Sequence, residues 1–229
     1  EFTESKDQLL RAEASGSLPK FPSDEIVQTQ SARDFTAQAT VDELLVAMDT
    51  GVVDVAVAVG LGWLDPHLAR EANDYLMDQV SRHADRLIGF CSLSPMWGKR
   101  ALIEEVERCM KGGLSGIGEI HADPQGFRID DPIVMDPVME LALEYEVPVL
   151  VHGSEPVGHS YPGKGHSTPD ALLGLVKTYP DVNIILAHWG GGLPFYALMP
   201  EVASALNNVY FDSAASVRLY DPKIYDTAV

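Results

Sequence analysis

At 229 residues with 46% hydrophobic content, the chain is long enough to bury one sizeable core, so a single domain over 1–229 is the default reading. Sixteen Lys and Arg against 34 Asp and Glu leave a formal charge of -18, a field that repels phosphate backbones and anionic lipid and argues against nucleic-acid and membrane partners. No stretch approaches the ~20 apolar residues of a membrane-spanning helix, and 1–10 is too polar for a secretory signal, so a cytoplasmic location is expected. Cys91 and Cys109 fit neither a disulfide framework nor a zinc-finger spacing and read as reduced thiols.

The first forty residues stand outside the pattern that follows. Residues 15–22 are small and punctuated by Pro and Gly, and 23–39 are polar with weak periodicity, so 1–40 reads as an irregular excursion. From there, short apolar runs rich in Val, Ile and Leu alternate with longer amphipathic ones. In chain order the spacing predicts helix 41–49, strand 52–59, helix 66–84, strand 87–93, helix 99–111 and strand 116–120. Helix 132–146, strand 147–151, helix 169–179, strand 182–187, helix 194–206 and strand 209–211 follow. Asp65-Pro66, Asp131-Pro132 and Thr168-Pro169 each set a capping side chain before a proline at the first helical position.

Strands recur roughly every thirty residues, which suits βα units in a doubly wound sheet or a closed barrel. Gly60-Leu61-Gly62-Trp63 lacks the third glycine of a dinucleotide-binding turn, which favours an α/β barrel of the (β/α)8 TIM type.

In such barrels the chemistry sits at the C-terminal ends of the strands. Four consecutive runs end there in suitable side chains: Gly118-Glu119-Ile120-His121, Leu150-Val151-His152, Leu186-Ala187-His188 and Tyr210-Phe211-Asp212. Glu, His and Asp bind zinc-like ions and move protons near neutral pH. Singly, a histidine after a strand is most often a loop or capping residue, but four converging on one barrel mouth point jointly to a metal or acid/base site. Asp212, followed by Ser213-Ala214-Ala215-Ser216, is the weakest, since a carboxylate there often accepts loop hydrogen bonds.

These runs, with Ala187-His188-Trp189-Gly190-Gly191-Gly192, resemble the middle strands of the amidohydrolase superfamily, in the branch that includes aminocarboxymuconate semialdehyde decarboxylase and pyrone dicarboxylate lactonase. The resemblance runs from about Val41 to the C-terminus. It implies that His152, ending barrel strand five, is a metal ligand and that His188, ending strand six, orients or activates the reacting group. Glu119 is similar to a strand-four carboxylate that joins the metal site in some relatives, and His121, Trp189 and Asp212 are expected to face substrate. One divalent ion, zinc by ligand type, is the implied cofactor, and a small molecule the implied partner.

The family opens with a His-x-His pair on strand one and closes with an Asp after strand eight, and neither occurs in this chain. The resemblance therefore covers strands two to seven, with both closing strands absent, which leaves two unpaired edges. A homo-oligomer, or a longer natural protein, would complete them. Three functions remain open from the residues: a metal-dependent hydrolase of a small amide, ester or lactone; a nonoxidative decarboxylase on the same site; or a non-catalytic barrel remnant used for binding or assembly.

Two segments carry further alternatives. Gly158 to His166 meets the Gly-x4-Gly-Lys pattern, but Gly165 stands where a phosphate loop needs Ser or Thr. A mobile substrate loop and an ordinary surface loop are the remaining readings. Gly190-Gly191-Gly192 is either an anion seat before a helix starting near Pro194 or a tight turn needing glycine φ values. Trp63 and Trp189 each follow a strand and either line the pocket or pack beneath a loop.

Overall fold

The computed structural model describes residues 40–228, Leu61 and Pro162 excepted, and the expected 1–40 excursion lies almost wholly outside the described residues. Helix α1 spans Val41–Gly51 and begins where sequence places it. Thr40 accepts from Glu43 N–H and the Glu43 carboxylate accepts from Thr40 N–H, a reciprocal cap. Strand β1 is Ala56–Val59, shorter than expected, because Val52 closes the helix in a left-handed conformation (φ 56) and cannot extend into a strand. Then come α2 (Pro66–Arg82), β2 (Leu87–Phe90), a 3-10 turn Pro95–Trp97 and α3 (Lys99–Lys111).

The second half repeats the unit: β3 (Ile117–Ile120), a short α4 (Ala122–Gln125), α5 (Pro132–Glu144), β4 (Val149–Val151), α6 (Pro169–Thr178) and β5 (Ile184–Leu186). After β5 come a 3-10 segment His188–Leu198, the single turn α7 (Pro200–Ala203), β6 (Val209–Phe211), α8 (Ser216–Leu219) and α9 (Ile224–Thr227). Asp65 and Asp131 cap α2 and α5 as expected. Thr168 holds the cap position of α6 without capping it, because its hydroxyl turns to the Asp170 carboxylate instead.

The expected helix 194–206 does not form as one α-helix: Pro200 biases Met199 to extended backbone (φ -89, ψ 120), which splits the run into 3-10 structure ending at Leu198 and the single turn Pro200–Ala203. Upstream, His188 to Gly192 all have positive φ, a left-handed turn that no right-handed helix can continue.

All strand pairs are parallel, β1 with β2 and β3-β4-β5-β6 in a row. A parallel bridge between Cys91 and Ile117, with Gly118 N–H donating to Cys91 O (2.9 Å), joins the two sheets in chain order. Six consecutive parallel strands with intervening helices make up this part of a TIM-type barrel wall. Ile117, Ile120, Val149, Val151, Ile184 and Leu186 are fully buried between that wall and α3, α5 and α6, which contribute Leu102, Val106, Met135, Val138, Leu172 and Leu175. At the ends of the row, Val57, Val59 and Tyr210 are exposed, and β1 and β6 each have one edge without a strand partner among the described residues. Cys91 and Cys109 are buried free thiols. No described helix is long and apolar enough to cross a membrane.

Candidate metal centre

Parallel pairing carries the ends of β3, β4 and β5 to one place. Glu119 lies in β3, His152 directly follows β4 and His188 lies two residues beyond β5. One ligand atom from each falls within 4.8 Å of the others. His152 Nδ1 is 2.8 Å from Glu119 Oε1, and His188 Nε2 is 3.9 Å from the same oxygen. The His152 and His188 rings meet edge to face with centroids 4.9 Å apart. His121 stacks on the other side of His152, centroids 3.7 Å apart and 19° from parallel.

The outward nitrogens are fixed by backbone. His152 Nε2 lies 3.0 Å from Gly163 O, and His188 Nδ1 lies 2.9 Å from Ala214 O. A carbonyl oxygen only accepts, so each of those nitrogens carries a proton, and the neutral rings keep their lone pairs at His152 Nδ1 and His188 Nε2. Both lone pairs then face the Glu119 carboxylate. Acceptors at 2.8 Å need a positive charge between them, which a proton on Nδ1 or a divalent ion supplies. Imidazole nitrogens held by outer carbonyls beside a carboxylate are the donor set of a divalent metal site, so the residues fit such an ion.

Without an ion, burial opposes the Glu119 charge, but the His152 hydrogen bond and the charges that His152, His188 and His121 carry when protonated outweigh it and hold the carboxyl down at about 2. Burial, reinforced by the charge of His152, pushes the His121 imidazole down to about 3, so that ring is neutral near pH 7.

The remaining expected residues are placed differently. His121 Nε2 is 3.1 Å from Gly163 O, so its reach toward substrate is limited on that side. Trp189 is buried, donates from Nε1 to Ser216 Oγ (2.7 Å) and meets the Tyr225 ring at 6.2 Å, which ties it to the C-terminal segment. Asp212 Oδ1 accepts from Ala214 N–H, as expected of a loop carboxylate. Trp63 is buried against Leu68 and Ala69. The three glycines form the tight turn: Gly190 N–H returns to Ala187 O (2.9 Å), and the positive φ values run through Gly192, with only 3-10 structure rather than an α-helix at Pro194. Sequence reasoning missed Gly163 O and Ala214 O, since a carbonyl leaves no residue signature; only Tyr161-Pro162-Gly163-Lys164, a turn signal, pointed to the first.

The sequence matches the amidohydrolase family model over residues 20–229. This chain belongs to the amidohydrolase family. Among curated amidohydrolase relatives, the gamma-resorcylate decarboxylase of Polaromonas sp. (strain JS666 / ATCC BAA-500) is 32% identical over 154 residues, 56% of this chain and 46% of that protein. The 2-amino-3-carboxymuconate-6-semialdehyde decarboxylase of Dictyostelium discoideum is 30% identical over 152 residues, 58% of this chain and 42% of that protein. Both alignments thus span less than half of the relative. The amidohydrolase fold is also that of 5-carboxyvanillate decarboxylase from Novosphingobium aromaticivorans, solved with manganese and 4-hydroxy-3-methoxy-5-nitrobenzoic acid. Its TM-score is 0.64 at 24% identity, covering 85% of this chain and 64% of that one.

Proposed function

We propose that the protein is an enzyme catalysing nonoxidative decarboxylation of a small conjugated acid, such as a hydroxybenzoate, at a divalent-metal site held by Glu119 and His152. The observation that carries this reading is the meeting of Glu119, His152 and His188 within 4.8 Å, with two imidazole lone pairs turned to one carboxylate. Decarboxylation is favoured over hydrolysis by the relatives, two of which are named as decarboxylases. Hydrolysis of a small amide, ester or lactone rests on family membership alone.

Glu119 and His152 would hold the divalent ion, zinc by ligand type and manganese by analogy with the vanillate enzyme, and it would supply a fixed positive charge to orient an anionic substrate. His188 is the proton carrier. It is the farther of the two histidines from Glu119, and its Nδ1–H stays on Ala214 O while Nε2 faces the site. The carbon–carboxyl bond breaks, CO2 leaves, and the carbon that lost it takes a proton from Nε2 of protonated His188, so one proton enters for each CO2 released. Self-association would cover the exposed β1 and β6 edges, and the solution mass of the same preparation reads it.

The test uses the purified chain loaded with zinc or manganese, its metal content after dialysis, and CO2 release from gamma-resorcylate and 5-carboxyvanillate. About one ion per chain with CO2 release lost in His188→Ala supports the reading. Metal retention with turnover of an ester or lactone but neither acid reassigns the site to hydrolysis, and protein that takes up no metal overturns both.

A further inference from the structure

The loop 153–167 between β4 and α6 is tied down on both sides of one peptide carbonyl. Gly163 O accepts from His152 Nε2 (3.0 Å) and His121 Nε2 (3.1 Å) together. The turn that presents it closes from Lys164 N–H to Tyr161 O (3.1 Å), with Gly163 at φ +94, which glycine takes at the third position of such a turn. The Lys164 ammonium then folds back onto the carbonyls of Val157 (2.7 Å), His159 (3.1 Å) and Gly158 (3.3 Å). Three donors thus meet three acceptors within one loop, and the ammonium is committed there rather than offered to a phosphate. Beyond Lys164, Gly165 N–H donates to Ser154 Oγ (2.9 Å), and His166 N–H donates to Asp123 Oδ2 (2.8 Å), two residues past His121.

We propose that Lys164 is a positioning residue for the metal centre. By knotting the loop on itself it holds the Gly163 carbonyl against His152 Nε2, which fixes the tautomer and angle of the ring and turns Nδ1 to Glu119. Asp123 anchors the other side of the same carbonyl. Lys164 acts only through Gly163, and the inference rests on the metal reading above. An imidazole ligand that loses its outer acceptor must find its tautomer and ring angle unaided, and such losses typically cost roughly 10–100-fold in metal affinity.

The experiment titrates the full metal-free chain with Co2+, reading affinity by calorimetry and ligand geometry by visible absorption. Lys164→Met keeps the stem and loses the donors; Lys164→Arg restores a charged donor group. The expected result is roughly 10–100-fold weaker Co2+ binding and an altered spectrum in the Met variant, largely recovered in the Arg variant. Unchanged affinity in Lys164→Met overturns the proposal, as does a loss that Lys164→Arg does not recover, which would belong to the loop's folding. Should Lys164→Met not fold, Asp123→Ala is read by the same two signals, with weaker binding expected and unchanged binding overturning. Wild-type protein that binds no Co2+ refutes the metal reading itself, a distinct outcome.

Discussion

His121 lies flat against His152, centroids 3.7 Å apart, and both rings turn Nε2 to the same Gly163 carbonyl. The stack buries a neutral imidazole whose proton affinity burial has pushed down to about 3, against about 6.5 in an unfolded chain. Between those values the unfolded chain holds a proton that the folded one lacks, so stability falls as pH drops through that window. Glu119 adds to the loss further down: its depressed carboxyl contributes stability present above the ordinary carboxylate range and lost as pH falls toward about 2. The metal-free protein should show an unfolding constant rising by up to about tenfold per pH unit from this one ring. Urea midpoints at pH 7 and pH 5 measure the slope, and His121→Phe, which keeps a ring in the stack, should flatten it.

Glu119→Gln keeps an oxygen acceptor beside His152 but removes the charge that both imidazole lone pairs face. Metal affinity should fall roughly a hundredfold or more while the fold persists. Competition with a chromogenic chelator reads the difference, and an affinity equal to wild type would remove Glu119 from the ligand set.

Asn73 is buried and bonds three ways: its amide donates to Ser92 O (2.9 Å) and Glu105 Oε1 (2.8 Å), and its carbonyl accepts from Ser92 N–H (2.9 Å). Glu105 also pairs with Arg108. Asn73→Ala strands buried polar groups between α2, α3 and the end of β2, and should cost about 3 kcal/mol in chemical denaturation.

A Cβ on Gly191 would sit 2.1 Å from Ser154 O, and its φ of +61 already disfavours a side chain. Gly191→Ala should destabilise by about 3 kcal/mol or more and reduce soluble yield, measured as a drop in thermal midpoint. Gly158→Ala, where a Cβ meets nothing within 4 Å, is the comparison for backbone strain alone.

The strand ends were legible because a parallel strand buried on both faces is a plain apolar run, and the first polar residue after it marks the mouth of the wall. That rule singles out His152 and His188, which the fold brings within 4.8 Å of Glu119, itself inside β3 and legible as the one charged residue in that run. Helix starts at Asp65 and Asp131 were legible because cap and proline act within three residues of one another. The helix expected over 194–206 is broken at Met199, since its apolar content suits a helix while Pro200 does not, and of the five positive φ values upstream only the three at Gly190, Gly191 and Gly192 have a residue signature, those at His188 and Trp189 having none. Trp189, which follows a strand, offers both a pocket reading and a packed one, and the partner of its indole N–H, Ser216, lies 27 residues on, beyond the reach of any local pattern.

A Cβ on Gly153 would meet Ala187 O at 2.6 Å, Gly190 Cα at 2.8 Å and Gly191 N at 2.9 Å. The peptides next to His152 and His188 are therefore seated on each other with no side chain between them. The spacing of the two strand ends that carry the imidazoles is thus set by main-chain contact, and a side chain at position 153 would force them apart. Filling that contact would therefore alter the distance between two strand ends without touching either histidine, a change that neighbouring side chains could not absorb.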